Sequence, residues 1–286
     1  MRLRRAGLIL LLLLPGLGLI LVLIGSVIVM AFGQSVGYFA LTGESGFSWE
    51  HWREQLDGRL LWRSFQYSAY IATTSSILSV LLAYPIAMWL RRPFRGSLFA
   101  GALLKAPLLV PGLVAAFLFI NVISFHGFFN ELMVWLGIID RPIRMQNDRN
   151  GYGVIFLQVW KNMPFALLLL TGSVQAISDD VLNAARDMGA GSIARFRKVI
   201  LPLTVPAMQA ALVIIFIGAA GDFSFQAVAG PTQVNSMAQL MVRLKGEFGG
   251  YHEAGVVAVL LMALALFGSV ALAGLTRFAV RAGMKV

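Results

Sequence analysis

The chain is 286 residues long, 58% hydrophobic and only 13% charged, with a mean hydropathy of +0.79, whereas an ordinary soluble domain carries about a quarter charged residues; this excludes a soluble globular fold and points to an all-α membrane protein. Its 23 Lys and Arg against 13 Asp and Glu give a net charge of +10, but the charge lies between apolar runs, so it reads as membrane orientation and not as a nucleic-acid surface. With no cysteine and three scattered histidines, there is no disulfide framework, thiolate metal site or cysteine nucleophile, and no metal set.

A transmembrane helix needs about 20 mostly apolar residues to cross about 30 Å of hydrocarbon. Six such runs are predicted: 7–32, 62–90, 98–125, 151–176, 206–228 and 253–277. The first follows Arg2, Arg4 and Arg5 and far exceeds the roughly 7 to 15 apolar residues of a cleaved signal, so it reads as a retained helix. In the segment 33–63, Ser48-Trp49-Glu50-His51-Trp52 predicts a short capped helix at the lipid interface, with its two Trp in the headgroup belt. Gly33 and Gly37 form a lone G-x-x-x-G, a weak sign of helix contact. The third and fourth runs carry Lys105 and Lys161. Between them, Phe128, Phe129, Leu132, Met133, Trp135 and Leu136 recur at near-helical spacing and predict a short helix resting on the bundle or partly re-entrant.

Orientation follows the short loops. Arg2, Arg4, Arg5, Arg91, Arg92, Arg95, Arg186, Arg195, Arg197, Lys198, Arg277, Arg281 and Lys285 fall on one side. Arg53, Arg59, Arg63, Arg141, Arg144, Arg149, Arg243 and Lys245 fall on the other, in segments that also hold acids such as Glu44, Asp148 and Glu247. Both termini are therefore expected to be cytoplasmic.

The segment 178–202 is the most informative. Ser178 is placed to cap a helix whose first turn holds Asp179 and Asp180, where carboxylates suit the positive end of the helix dipole. Val181, Ala185 and Met188 predict its apolar face, and Gly189 is placed to end it in a left-handed conformation. A second short helix is expected from Ser192, interrupted by Pro202 and Pro206 before the next span. Two short helices joined at a glycine make a knob suited to meeting another protein.

This segment resembles the permease subunits of ABC importers, whose cytoplasmic signature reads Glu-Ala-Ala, three residues, Gly, nine residues, Ile, one residue, Leu-Pro. Ala184-Ala185, Gly189, Val199 and Leu201-Pro202 fall at those spacings. Asn183 stands where the family usually has Glu, which removes one possible ion pair to an ATPase, and Val199 replaces Ile. Trp62-Arg63-Ser64-Phe65 and Tyr84-Pro85-Ile86-Ala87 look like the start of the permease core. Met163-Pro164-Phe165 and the run Ala184 to Ala190 look most like the spermidine/putrescine-type group, whereas sugar permeases usually carry Ile-Asp-Gly-Ala where this chain has Asp-Met-Gly-Ala.

The resemblance implies the type I ABC importer permease fold in a bacterial inner membrane. An N-terminal helix with an external segment (1–61) would precede a five-span core (62–286). It also implies that Asn183, Ala184, Ala185, Asp187, Gly189, Leu201 and Pro202 form an ATPase-coupling loop. Implied partners are a second permease subunit, usually a different chain, two copies of a cytoplasmic ATPase and a soluble binding protein. ATP and Mg would be bound by that ATPase and no cofactor by this chain, which has no G-x-x-x-x-G-K-[ST] loop. The substrate would be a polyamine, with ferric ion, thiamine, phosphonate or sulfate as alternatives within the family.

Ionisable groups inside a membrane default to functional candidates. Asp222, the only acid in the interior of a predicted span, lies about 24 Å along the fifth run from Pro206 at about 1.5 Å per residue. With Phe223, Phe225 and Gln226 it could bind a cationic amine; alternatively, it pairs with Lys161. Lys161, with Gln158, Trp160 and Asn162 around it, could equally hold an anion. Asn121, Gln175 and Lys105 read as interhelical hydrogen bonders or snorkelling groups. His51, His126 and His252 read as separate surface residues. A secondary transporter would show related halves and interrupted helices, and no repeat is visible. A membrane hydrolase would need a motif such as H-E-x-x-H, and His252-Glu253 is not followed by a His at that spacing.

Overall fold

The computed structural model describes residues 2–39, 45–143, 145–247 and 249–283, and the side chains of 12–39, 45–143, 145–246 and 249–278. Of the charges used for orientation, Glu44, Arg144 and Lys285 lie outside the described residues, as do the side chains of Arg2, Arg4, Arg5, Glu247 and Arg281. Among the described residues, every regular element is a helix. Six helical stretches are long and apolar enough to cross a membrane: Leu12–Ser35, Arg59–Trp89, Gly112–Trp135, Tyr152–Gln175, Ser192–Ala220 and Tyr251–Phe278.

Contacts divide the chain into two compact units. One comprises Met1–Trp62 and Leu240–Met262; the other comprises Arg63–Gln239 and Ala263–Val286.

In the first unit, α1 (Arg2–Ser35) leaves its apolar side chains from Leu12 to Phe32 uncovered almost all round, the pattern of a helix that faces lipid. Gly37, at φ +94°, turns the chain after α1. Ser48 Oγ accepts a bond from Glu50 N (3.0 Å) and so starts the predicted interfacial helix, α2 (Glu50–Asp57). The Trp52 indole donates to Ser35 Oγ (3.3 Å), which ties α2 to the end of α1. Histidines read as separate come together here. His51 Nδ1 lies 3.0 Å from Glu253 Oε1, His252 Nδ1 lies 2.7 Å from the Gln34 carbonyl, and the two rings are 4.7 Å apart. Their separation of 201 positions in sequence hid the pairing. The small residue at a helix contact is Gly255 rather than Gly33, since a Cβ at Gly255 would lie 2.8 Å from Ser35 N.

In the second unit, α3 (Arg59–Trp89, from Arg63 onward), α7 (Tyr152–Gln175) and α10 (Leu201–Ala220) supply most of the core. The third predicted run is not one helix. It splits into α4 (Ser97–Lys105), a 3₁₀ turn (Ala106–Leu109) and α5 (Gly112–Ile123), because Pro111 has no N–H to continue the ladder. The predicted short helix follows as α6 (Phe128–Trp135). Its Asn130 side chain bonds both backbone groups of Ile143 (2.8 and 2.9 Å) and so holds the loop beyond it.

The fifth run also differs from expectation. Helix begins at Ser192 as α9 (Ser192–Arg195), passes through a π-turn (Phe196–Ile200) and continues as α10 without a stop at Pro202 or Pro206. Pro202 sits in the first turn of α10, where its missing N–H costs little. The helix ends at Ala220, not 228, and a separate α11 (Ser224–Ala229) follows. The chain closes with α12 (Met237–Glu247) and α13 (Tyr251–Gly283).

Candidate functional sites: the Gly-hinged loop and a buried polar cluster

The loop 178–202 forms the predicted knob. Its helix α8 (Asp179–Asp187) starts after Ser178, although the Ser178 hydroxyl makes no capping bond. Arg91, just beyond α3, does the tying instead. One of its terminal nitrogens donates to Asp179 Oδ1 (2.8 Å) and to the Ile177 carbonyl (2.9 Å). That hydrogen bond and the Arg91 charge hold the exposed Asp179 carboxyl below its ordinary value. In the sequence Arg91 reads only as an orienting charge, and its place immediately after a span is the one signal of this role.

The buried face of α8 is not the predicted one. Leu182 (7% exposed) and Ala185 are buried, while Val181 (46%) and Met188 (82%) project outward. Leu182 packs into a small apolar cluster with Val174 and Ile177 at the end of α7 and with Ile200 and Val199 of the π-turn. The reason is rotational: Leu182 and Ala185, three residues apart, share a face that the Arg91 tie turns toward α7.

Gly189 ends α8 as predicted, at φ +83°. Its N–H bonds the Arg186 carbonyl (2.8 Å) and the Ala190 N–H bonds the Ala185 carbonyl (3.0 Å), a Schellman closure. Asn183, Ala184 and Asp187 are exposed, while Leu201 and Pro202 are half-buried at the start of α10.

The second grouping lies toward the opposite ends of α3 and α7. Asp222 is not inside a helix. It occupies the break after α10, where its Oδ2 accepts the Phe225 N–H (3.0 Å) and caps α11. Beside its carboxylate lies Gln158 of α7 (2% exposed), whose side-chain oxygen accepts from Asn162 (2.9 Å). The Tyr67 hydroxyl of α3 donates to the Gln226 side-chain oxygen (3.0 Å). Phe225 is buried with Tyr67, Ile71, Val154 and Leu157, and Trp160 packs against that core with its ring 5.8 Å from Phe119. Phe223 is exposed.

Asp222, Phe225, Gln226, Gln158 and Trp160 are thus brought together, and Lys161 is not among them. Its ammonium donates to the carbonyls of Pro107 (2.8 Å), Leu108 (3.2 Å) and Val110. These carbonyls are orphaned where the third run breaks, so Lys161 caps that break. The alternative Lys161–Asp222 pair is corrected accordingly, since each group has its own partners. Tyr67, which the sequence reading did not single out, also borders two polar openings of about 300 and 400 Å³ that share Arg149, one of them with Arg63. Of the weaker candidates, Gln175 does bond across helices, to the Leu90 carbonyl (3.1 Å), whereas Asn121 bonds within its own helix and His126 lies exposed, 3.7 Å from Glu131.

Residues 75–282 match the family described as binding-protein-dependent transport system inner membrane component. The chain belongs to this family. It is a multi-pass bacterial inner-membrane protein. Among its relatives, the spermidine/putrescine transport system permease protein PotB of Escherichia coli is 30% identical over 158 residues, 55% of this chain and 57% of that protein; the alignment therefore spans little more than half of that relative. The trehalose/maltose transport system permease protein MalF of Thermococcus litoralis is 27% identical over 214 residues, 71% of this chain and 72% of that one. The fold matches a chain in the crystal structure of a bacterial alginate ABC transporter in complex with alginate pentasaccharide-bound periplasmic protein. The TM-score is 0.75 at 17% identity, covering 95% of this chain and 94% of that one.

Proposed function

We propose that this chain is one permease subunit of an ATP-driven, binding-protein-dependent importer. It forms half of a translocation path with a second, different permease subunit. The observation that carries this reading is the construction of α8: anchored inward by Leu182 and Arg91, closed by Gly189, and presenting Val181 and Met188 outward. An exposed apolar pair on a firmly held helix suits capture by another protein. In this reading two copies of a cytoplasmic ATPase, which bind ATP and Mg, grip α8. Both termini are cytoplasmic, and a soluble binding protein delivers substrate to the face that holds Tyr67 and Arg149.

The proposed substrate is a polyamine. Supporting it are the half-buried Asp222, the neighbouring Gln158, Gln226, Tyr67 and Trp160, and the likeness to PotB. A second reading, a small anion such as phosphonate or sulfate, is favoured by Arg63 and Arg149 on the openings beside Tyr67.

The test is purification of the complex from its native membrane, followed by ATP hydrolysis and uptake with spermidine, putrescine and sulfate. Polyamine-stimulated hydrolysis by a co-purifying ATPase supports the reading, and stimulation by sulfate alone favours the anion. Asp222→Asn retains the cap on α11 but removes the charge, so it should raise the KM for a polyamine about tenfold or more. Unchanged uptake kinetics would confine Asp222 to helix capping, and recovery of this chain alone would defeat the importer reading.

A further inference from the structure

Between the segment after α3, helix α4 and the last turns of α7 lies a cavity of about 960 Å³. It sits at the α8 end of the unit: Thr171 and Gln175 on its wall are 13 and 17 residues along α7 from Gln158, about 20 to 25 Å away. Two cations, Arg91 and Lys105, line it, and no acid does. Arg91 bonds Asp179 and Ile177 through one terminal nitrogen, while its Nε is buried with no hydrogen-bond partner, as is the Thr171 hydroxyl. Among the described residues, Lys105 has no carboxylate within ion-pairing distance. Buried donors without partners are uncommon and ask for an explanation.

The rest of the wall is apolar, with Leu90, Phe94 and Leu98. Leu98 is 90% exposed, and the cavity rim continues onto the uncovered apolar face of α4 that also carries Phe99 and Leu103. A cavity with cations and spare donors on one part of its wall and a greasy rim on the other matches an amphiphile with a negatively charged head. In a membrane the abundant molecule of that chemistry is an anionic phospholipid.

We propose that this cavity is a binding site for an anionic phospholipid. The phosphate lies against Lys105 and Arg91, and an acyl chain runs along Leu98 and Phe94. Because Arg91 also holds Asp179, the bound lipid is in contact with the residue that ties down α8.

The experiment is native mass spectrometry of the complex extracted from its own membrane, titrated with phosphatidylglycerol or phosphatidylcholine. The wild type should bind phosphatidylglycerol in preference to phosphatidylcholine, and inorganic phosphate in large excess should not displace it. Lys105→Gln should lower phosphatidylglycerol occupancy about fivefold, and Lys105→Arg should restore it. A Cβ at Gly101 on the cavity wall meets nothing within 4 Å, so Gly101→Phe should fill the acyl side and lower occupancy without touching a charge. Equal binding of the two lipids by the wild type overturns the proposal, as does unchanged occupancy in both Lys105→Gln and Gly101→Phe. Displacement by inorganic phosphate would make it a free-anion site. A wild-type complex that carries no phosphatidylglycerol would instead mark this face as covered by another subunit.

Discussion

Replacing Gly189 by Ala isolates a single quantity, the strain of a left-handed residue at the end of α8. Gly189 holds φ +83°, a conformation that costs an L-residue with a Cβ about 1 to 2 kcal/mol. The added methyl has no steric penalty, because nothing lies within 4 Å of its position. The whole effect therefore falls on the two closing bonds, Gly189 N–H to Arg186 and Ala190 N–H to Ala185. A change of 1 to 2 kcal/mol shifts the balance between closed and opened loop by roughly 5- to 30-fold. Hydrogen exchange of the amides of residues 188–190 should accelerate by that factor in Gly189→Ala and in Gly189→Leu, while α7 and α10 exchange as in the wild type. Gly189→Asn, which tolerates the left-handed region, should stay close to wild type. Measured beside exchange, substrate-stimulated transport should fall in the same order. Wild-type exchange and transport in the Ala and Leu variants would refute the reasoning, and so would an Asn variant as damaged as Ala.

Two further outcomes follow from charged groups. Lys161→Met removes the donor that satisfies three carbonyls at the break in the third run and should destabilise the 3₁₀ turn Ala106–Leu109 by about 2 kcal/mol, read as faster exchange at residues 106–112; combined with Asp222→Asn, the effects on global stability should add within about 0.5 kcal/mol, because the two residues share no bond. The Arg91–Asp179 tie involves a carboxyl held below its ordinary value, so its contribution is fully present above the unfolded carboxyl value of about 3.9 and is lost as pH falls through the lower folded value. Exchange of α8 should therefore keep its protection pattern from about pH 8 to about pH 5, after correction for intrinsic rates, while Arg91→Gln should weaken it at both.

The apolar runs and the loop 178–202 were legible because each rests on local pattern: length of hydrophobic sequence, a Ser-Asp-Asp start and a glycine stop. What failed was what depends on neighbours. Val181, Ala185 and Met188 satisfy helical periodicity as well as Leu182 does, and only the cluster of Val174, Ile177 and Ile200 decides that Leu182 turns inward. The break at Pro111 was hidden because the residues around it are uniformly apolar and hydropathy does not register a missing N–H. Lys161 was matched to Asp222 by charge, yet carbonyls freed by that break proved to be its partners, and their availability could not be known before the break was. Asp222, Gln158 and Gln226 were each noticed for polarity in an apolar stretch. Tyr67 was missed because a tyrosine in a span is unremarkable until its hydroxyl finds Gln226 159 residues away.

The helical stretch from Ser192 to Ala220, continuous through its π-turn, has a mechanical consequence. Its 29 residues form a rod about 44 Å long at about 1.5 Å per residue, with the Gly-hinged loop at one end and the Asp222 cap just beyond the other. Such a rod amplifies rotation into travel: a tilt of about 5° about one end carries the far end about 4 Å, more than the reach of a hydrogen bond. A modest push at the loop is therefore geometrically sufficient to shift Asp222 by more than the 3.0 Å length of its hydrogen bond from Phe225.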